Sequence, residues 1–149
     1  MTALDIPIPA RCVDARIDRE ESTSYLVNHR RRIDVLIDFG VSGIGIENKP
    51  WTVEQTDQIA DYFRQLDKRY GADFVLVYLS GNGERPASVS KKELSWRESE
   101  NQFRLMTYET DLLAWLDGCI GVCRAERGKW FLDEFRSYIR KHFDTTTVV

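Results

Sequence analysis

The stretch Arg32-Ile-Asp-Val-Leu-Ile-Asp-Phe-Gly-Val-Ser-Gly-Ile-Gly-Ile-Glu-Asn-Lys-Pro-Trp51 decides how the rest of the chain is read. Ile33, Val35 and Ile37 alternate with Asp34, Leu36 and Asp38; Gly40-Val41-Ser42-Gly43 supplies turn residues; Ile44 to Lys49 resumes the alternation until Pro50 closes it. Period-two alternation on either side of a glycine-rich turn predicts two hairpin strands, Arg32 to Phe39 and Ile44 to Lys49. A turn centred on residues 41 and 42 sets Asp34 opposite Lys49 and Leu36 opposite Glu47, with all four on one face. That placement depends on register, because a slip of one residue would divide the charged groups between faces.

Working outward, Arg11 to Glu20 (RCVDARIDRE) alternates as a strand with one wet face, and a polar stretch, residues 21–31, joins it to the hairpin. Downstream, Thr52 and Gln55 resemble a capping box, and Ile59, Tyr62, Phe63, Leu66 and Tyr70 recur at helical spacing up to Gly71. Phe74 to Leu79 is a continuous apolar run, as in a strand buried on both faces, and Ser80-Gly81-Asn82-Gly83 ends it. Residues 84–101 are polar and read as a loop or flap, followed by a short strand from Phe103 to Tyr108. Two helices are expected last, Thr110 to Cys123 and Lys129 to Phe143, with their aromatics in the core and Trp115 and Trp130 lining the contact. This order predicts an α/β fold with a mixed sheet, in which hairpins join the first three strands and a helical crossover lays the buried strand parallel to the third.

The totals agree with a single domain over residues 1–149: the chain is 42% hydrophobic and 30% charged, which excludes disordered, collagen-like and membrane-embedded classes. No apolar run approaches the ~20 residues of a spanning helix, and the opening MTALDIPIPA lacks a signal-peptide pattern, so the cytoplasm is the expected address. Cys12, Cys119 and Cys123 contain no CxxC pair, which argues for reduced thiols over a disulfide framework or a four-cysteine metal site. The net charge of −3 runs against a broadly basic nucleic-acid surface, although a site built of carboxylates brings in divalent cations whose charge must be counted.

Asp34, Glu47 and Lys49 are the candidate chemical centre. Two carboxylates and an ammonium on a sheet flanked by apolar runs make either a salt bridge or a hard-metal site, where carboxylate oxygens hold Mg²⁺ and lysine stabilises an attacking hydroxide. Asp38 is an alternative ligand nearer the turn. The basic run from His29 to Arg32 either holds a phosphate backbone or faces water. Lys91-Lys92 is a weaker candidate for nucleic-acid contact. His29 and His142 are too few for a zinc site, and Gly40, Gly43 and Gly45 serve turn geometry, since they lead into a strand and are not spaced GxGxxG.

Arg32-Ile-Asp34, Glu47-Asn-Lys49 and the following Glu54-Gln55, Gln58-Ile59 and Tyr62 together resemble the PD-(D/E)XK nucleases, in the branch with RIDxLI, IENK and a Gln-x-x-x-Tyr helix. More loosely, the resemblance covers about Glu20 to Phe143. It implies a restriction-endonuclease-like mixed sheet flanked by helices. It also implies Mg²⁺, with Mn²⁺ as substitute, held by Asp34, Glu47 and the carbonyl of Asn48. Lys49 would assist the water, while Gln58 and Tyr62 would position the scissile strand or Lys49. The implied substrate is nucleic acid, DNA before RNA, with Arg30, Arg31, Arg32, Gln58 and Tyr62 as contacts. Family members usually open with a helix that supplies a further glutamate; here Pro7 and Pro9 leave no room for one, so Glu20 or Glu21 is the expected substitute. The alternatives are a catalytically inactive nuclease-fold module for binding nucleic acid or protein, and an enzyme completed by a second copy or a partner chain.

Overall fold

The computed structural model describes residues 15–22, 32–51 and 54–143, the side chains of 20–22 excepted. Within it the hairpin forms as β2 (Arg32–Asp38) and β3 (Gly43–Lys49). Its register differs from the expected one by two residues: Asp38 pairs with Gly43, Leu36 with Gly45 and Val35 with Ile46. The cause is the turn, which centres on Gly40 and Val41. Phe39 N–H closes it on the Ser42 carbonyl at 3.0 Å, and the Asp38 carboxylate accepts the Gly40 N–H at 2.8 Å. Gly40 takes φ +84°, the positive value that tight hairpin turns need and glycine adopts without strain. A two-residue shift preserves the faces, so Asp34, Glu47 and Lys49 still share one side.

β1 (Arg16–Ser22) lies antiparallel to β2 and runs two residues past its expected end, while residues 11–14 lie outside the described residues. After β3 come α1 (Gln58–Tyr70) and β4 (Phe74–Ser80), then α2 (Lys91–Ser99) and β5 (Phe103–Thr107). A π-helical turn, Tyr108–Leu112, leads into α3 (Leu113–Val122), and α4 (Glu126–Phe143) follows. Among the described residues the sheet has five strands in the order β1-β2-β3-β4-β5, antiparallel through β3 and parallel from β3 to β5. The expected mixed sheet and parallel crossover are therefore present.

The α1-facing positions of β3 explain how the helix seats. A Cβ on Gly43 would meet the Tyr70 ring at 2.4 Å, and one on Gly45 would touch Leu76, Leu66 and Ile33. These glycines therefore serve close packing, a correction to the turn role expected of them. Above them Ile59, Tyr62, Phe63 and Leu66 join Ile33, Leu36, Leu76 and Phe103 in one core, each large apolar side chain contributing about 1.5–3 kcal/mol of burial. Ile33, at the start of β2, enters the same cluster as Leu36 although it has the opposite parity, so face assignment by alternation holds from Asp34 onward and does not extend to Ile33.

Three expectations are corrected here. α1 begins at Gln58, and no side chain of its N-cap residue, Asp57, caps it. Instead Ser88 Oγ, 29 residues away, accepts the Ile59 N–H at 3.0 Å, while Thr52 lies outside the described residues. The polar segment expected as a flap contains α2, opened by a local cap in which Ser90 Oγ accepts the Glu93 N–H. Arg97 anchors that helix: buried, it takes both Asp67 oxygens at 2.7 and 2.6 Å, donates to Gln102, and lies 4.8 Å over the Phe63 ring. Finally, Trp115, Trp130, Phe131 and Tyr138 are exposed, and the α3–α4 seam is made by Leu112, Leu116, Leu132, Phe135, Ile139 and Phe143. Trp115 sits about 100° round the helix from Leu116, which turns it off the seam.

Candidate active site

β3 carries Glu47 and Lys49 two residues apart, about 6.8 Å along the strand. The lysine folds back so that Nζ lies 2.9 Å from Glu47 Oε1, with both side chains largely buried. The first turn of α1 completes the arrangement. Gln58 Nε2 donates to the same Glu47 oxygen at 2.9 Å and to Tyr62 Oη at 2.9 Å. Gln58 Oε1 accepts the Gln55 N–H, which fixes the orientation of the amide. The Tyr62 hydroxyl then donates to the Arg32 carbonyl at 2.6 Å. One chain of bonds thus runs from β2 through α1 to β3, and the i, i+4 spacing of Gln58 and Tyr62 makes it possible.

Asp34 enters from β2, just beyond the last β2–β3 pair, Val35 with Ile46. Its Oδ2 accepts the Asn48 N–H at 2.8 Å, taking the place of a ladder bond. On an extended strand the N–H and carbonyl of one residue face the same neighbour. Lys49 O faces β4, where it accepts the Gly81 N–H at 2.9 Å, so the Asn48 carbonyl faces β2 and Asp34. The Asn48 side chain is committed elsewhere, accepting from Tyr108 Oη. Across β1, Arg19 pairs with Val35 and Glu21 with Ile33, which brackets Glu20 opposite Asp34 on the backbone. The side chains of Glu20 and Glu21, and all of His29, Arg30 and Arg31, lie outside the described residues; Arg32 is exposed on β2.

Burial, with the Asp34 carboxylate nearby, pushes the Glu47 carboxyl up to about 7, against the opposing pull of Lys49. Its Oε2 is buried with no hydrogen-bond partner among the described residues. Burial and the Glu47 charge also hold the Tyr62 phenol well above its ordinary range. An orphaned carboxylate oxygen, a second carboxylate that repels it and a backbone carbonyl form an all-oxygen donor set that a divalent cation would relieve. Among the described residues no three His, Cys, Asp or Glu side chains cluster as a cage, so Asp34 and Glu47 would leave most positions to water, phosphate or main chain, as Mg²⁺ prefers. The residues fit such an ion.

Asp38 is occupied at the turn end of the hairpin: Arg69 reaches its Oδ2 at 2.6 Å, and despite burial the bonds from Gly40, Tyr70 and Arg69 hold its carboxyl below the usual range. It does not join the site.

A family model of the PD-(D/E)XK nuclease superfamily matches residues 5–137. The chain belongs to the PD-(D/E)XK nuclease superfamily. The five-stranded mixed sheet flanked by helices is its restriction-endonuclease-like α/β fold. Membership suggests nuclease activity, a nucleic-acid substrate and the divalent metals that PD-(D/E)XK nucleases generally use. No curated protein and no solved structure matches the chain. No helix among the described residues is long and apolar enough to cross a membrane.

Sequence reasoning missed Glu54 as a support of this PD-(D/E)XK site. Its carboxylate accepts the Ala87 and Ser88 N–H groups and the Tyr78 hydroxyl, at 2.8 to 2.9 Å. Although burial pushes the other way, these bonds hold its carboxyl below the usual range. Glu54 thereby pins the segment whose Ser88 caps α1, directly behind Gln58. The acid-Gln pair at 54 and 55 was the signal; its partners lie more than 20 residues downstream.

Proposed function

We propose that the chain is a single-domain nuclease that hydrolyses phosphodiester bonds, DNA before RNA. A Mg²⁺ ion, or Mn²⁺ in its place, would be held by Asp34, Glu47 and the Asn48 carbonyl, with Glu20 as a further carboxylate. When bound, the ion would polarise a phosphate oxygen and acidify a water molecule. Lys49 places its side-chain nitrogen beside the Glu47 carboxylate, where negative charge builds on the nucleophile and phosphate. Gln58 and Tyr62 are buried behind Glu47, so we assign them to holding that carboxylate rather than to touching the strand. Arg30, Arg31 and Arg32 remain the proposed backbone contacts. The cytoplasm remains the proposed address, in keeping with free thiols at Cys119 and Cys123.

The observation that carries this reading is the unpartnered, buried Glu47 Oε2 next to Asp34 and Lys49. The test is cleavage of plasmid and of single-stranded DNA with Mg²⁺ or Mn²⁺ by the parent and by Lys49→Ala. The variant should lose about 10²–10³-fold in kcat, the usual cost of removing one group that stabilises developing charge. Equal cleavage by both proteins refutes the assignment.

A further inference from the structure

A cleft of about 810 Å³ opens beside Lys49, and its wall carries Glu54, Asp57, Glu84 and Glu93 against Lys49 and Arg85. With that balance, phosphate contacts alone are a poor way to hold a strand there. The same wall presents Trp51, two residues after Lys49 and 67% exposed. The indole is nevertheless packed on one side. One face stacks on Phe143 with centroids 4.9 Å apart and planes 18° apart; Phe143 stacks in turn on Tyr108 at 4.3 Å and 22°. The Tyr108 hydroxyl ends the column on the Asn48 side chain. From the other side Gly81 clamps the strand exit: its N–H holds the Lys49 carbonyl, and a Cβ there would lie 1.9 Å from the Pro50 oxygen and 2.9 Å from the Phe143 ring. A large ring is thus seated on an aromatic column at the cleft while much of its surface stays open to water, which apolar packing does not explain.

We propose that Trp51 is a stacking platform for an unpaired nucleobase next to the scissile phosphate, which makes a single strand or a frayed end the substrate class of this site. The inference rests on the nuclease reading above. Bases in an intact duplex already have both faces stacked, whereas an unpaired base offers a free face to an aromatic ring. Stacking is tolerant of sequence and needs no basic surface, in keeping with the acidic wall and the net charge of −3. Trp51 is then a positioning residue: it sets which phosphate lies before Lys49 and leaves the chemistry to Asp34, Glu47 and Lys49.

The experiment measures binding by fluorescence anisotropy in Ca²⁺, with KM and kcat in Mn²⁺, for the parent, Trp51→Ala and Trp51→Phe. The probes are labelled oligothymidylate 12-mers, an abasic 12-mer with the same backbone, and a blunt 12-base-pair duplex. Trp51→Ala should weaken oligothymidylate binding about tenfold or more and raise KM to match, with kcat changed less than about twofold. On the abasic strand it should lose nothing, and Trp51→Phe should recover most of the affinity on oligothymidylate. Equal losses on the thymidylate and abasic strands, a parent preference for the blunt duplex, or a parent that binds no strand each overturn the proposal. The two readings separate cleanly: a strand bound in the expected ratios but never cut sinks the nuclease assignment and leaves the stacking site standing.

Discussion

Glu47 offers the sharpest test of the site, because its proton and a metal ion compete for the same carboxylate. Burial raises its carboxyl from an ordinary 4.5 to about 7 in the folded chain, with the Asp34 charge adding to the effect. A raised folded value means the native state grips the proton more tightly than the unfolded one. The associated stability is complete below 4.5 and is lost as pH climbs through 7. Between pH 5 and pH 8 the difference amounts to about 2–3 kcal/mol, with little loss to solvent screening because the side chain is only 2% exposed. Glu47→Gln keeps an acceptor for Gln58 and Lys49 but carries no titrating proton. In urea denaturation with EDTA, the stability gap between parent and variant should therefore move by about 2–3 kcal/mol in favour of the variant from pH 5 to pH 8. Adding Mg²⁺ at pH 8 should raise the Tm of the parent and leave that of Glu47→Gln nearly unchanged, since ligand binding stabilises only the state that binds. A gap that stays the same at pH 5 and pH 8 would refute the reasoning.

Gln58→Leu should lower kcat about 10- to 100-fold with little change in KM, as expected of a residue that orients a ligand without meeting substrate; steady-state kinetics in Mn²⁺ decide it. Ser88→Ala removes the only side-chain oxygen seen on the Ile59 N–H among the described residues and should cost about 1 kcal/mol in chemical denaturation, with activity falling as the first turn of α1 loosens. Arg97→Lys gives up the bidentate grip on Asp67 and should destabilise the chain by about 2 kcal/mol; an unchanged Tm would show that the Asp67 pair does not anchor α2.

The hairpin, the crossover helix and the buried strand were legible because each rests on a local pattern: alternation between Ile33 and Asp38, helical spacing from Ile59 to Tyr70, an unbroken apolar run from Phe74 to Leu79. Gln58 and Tyr62 could be paired in advance for the same reason, since i, i+4 neighbours share a helix face whatever the fold. α2 was missed although its Ser90-x-x-Glu93 cap is local, because its polar sequence offers no apolar stripe and its anchor is a charged side chain, Arg97, satisfied by distant Asp67. Trp115 and Trp130 were misplaced because a helix rich in apolar residues leaves the seam undefined until its neighbour is known.

The sequence by itself determined which residue types share a face of the β2–β3 hairpin, since strand parity survives a two-residue change of register. Tertiary structure alone decided which of them meet. Gly40 chose the turn centre and carried Asp34 beyond the last β2–β3 pair to the Asn48 N–H; Gly43 and Gly45 let α1 descend until Gln58 reached Glu47; and Ser88 with Glu54 held that helix end from across the fold. Local patterns follow from bonds between near neighbours in the chain, whereas burial of a carboxylate, and with it the capacity to bind a metal, depends on how closely separate elements pack.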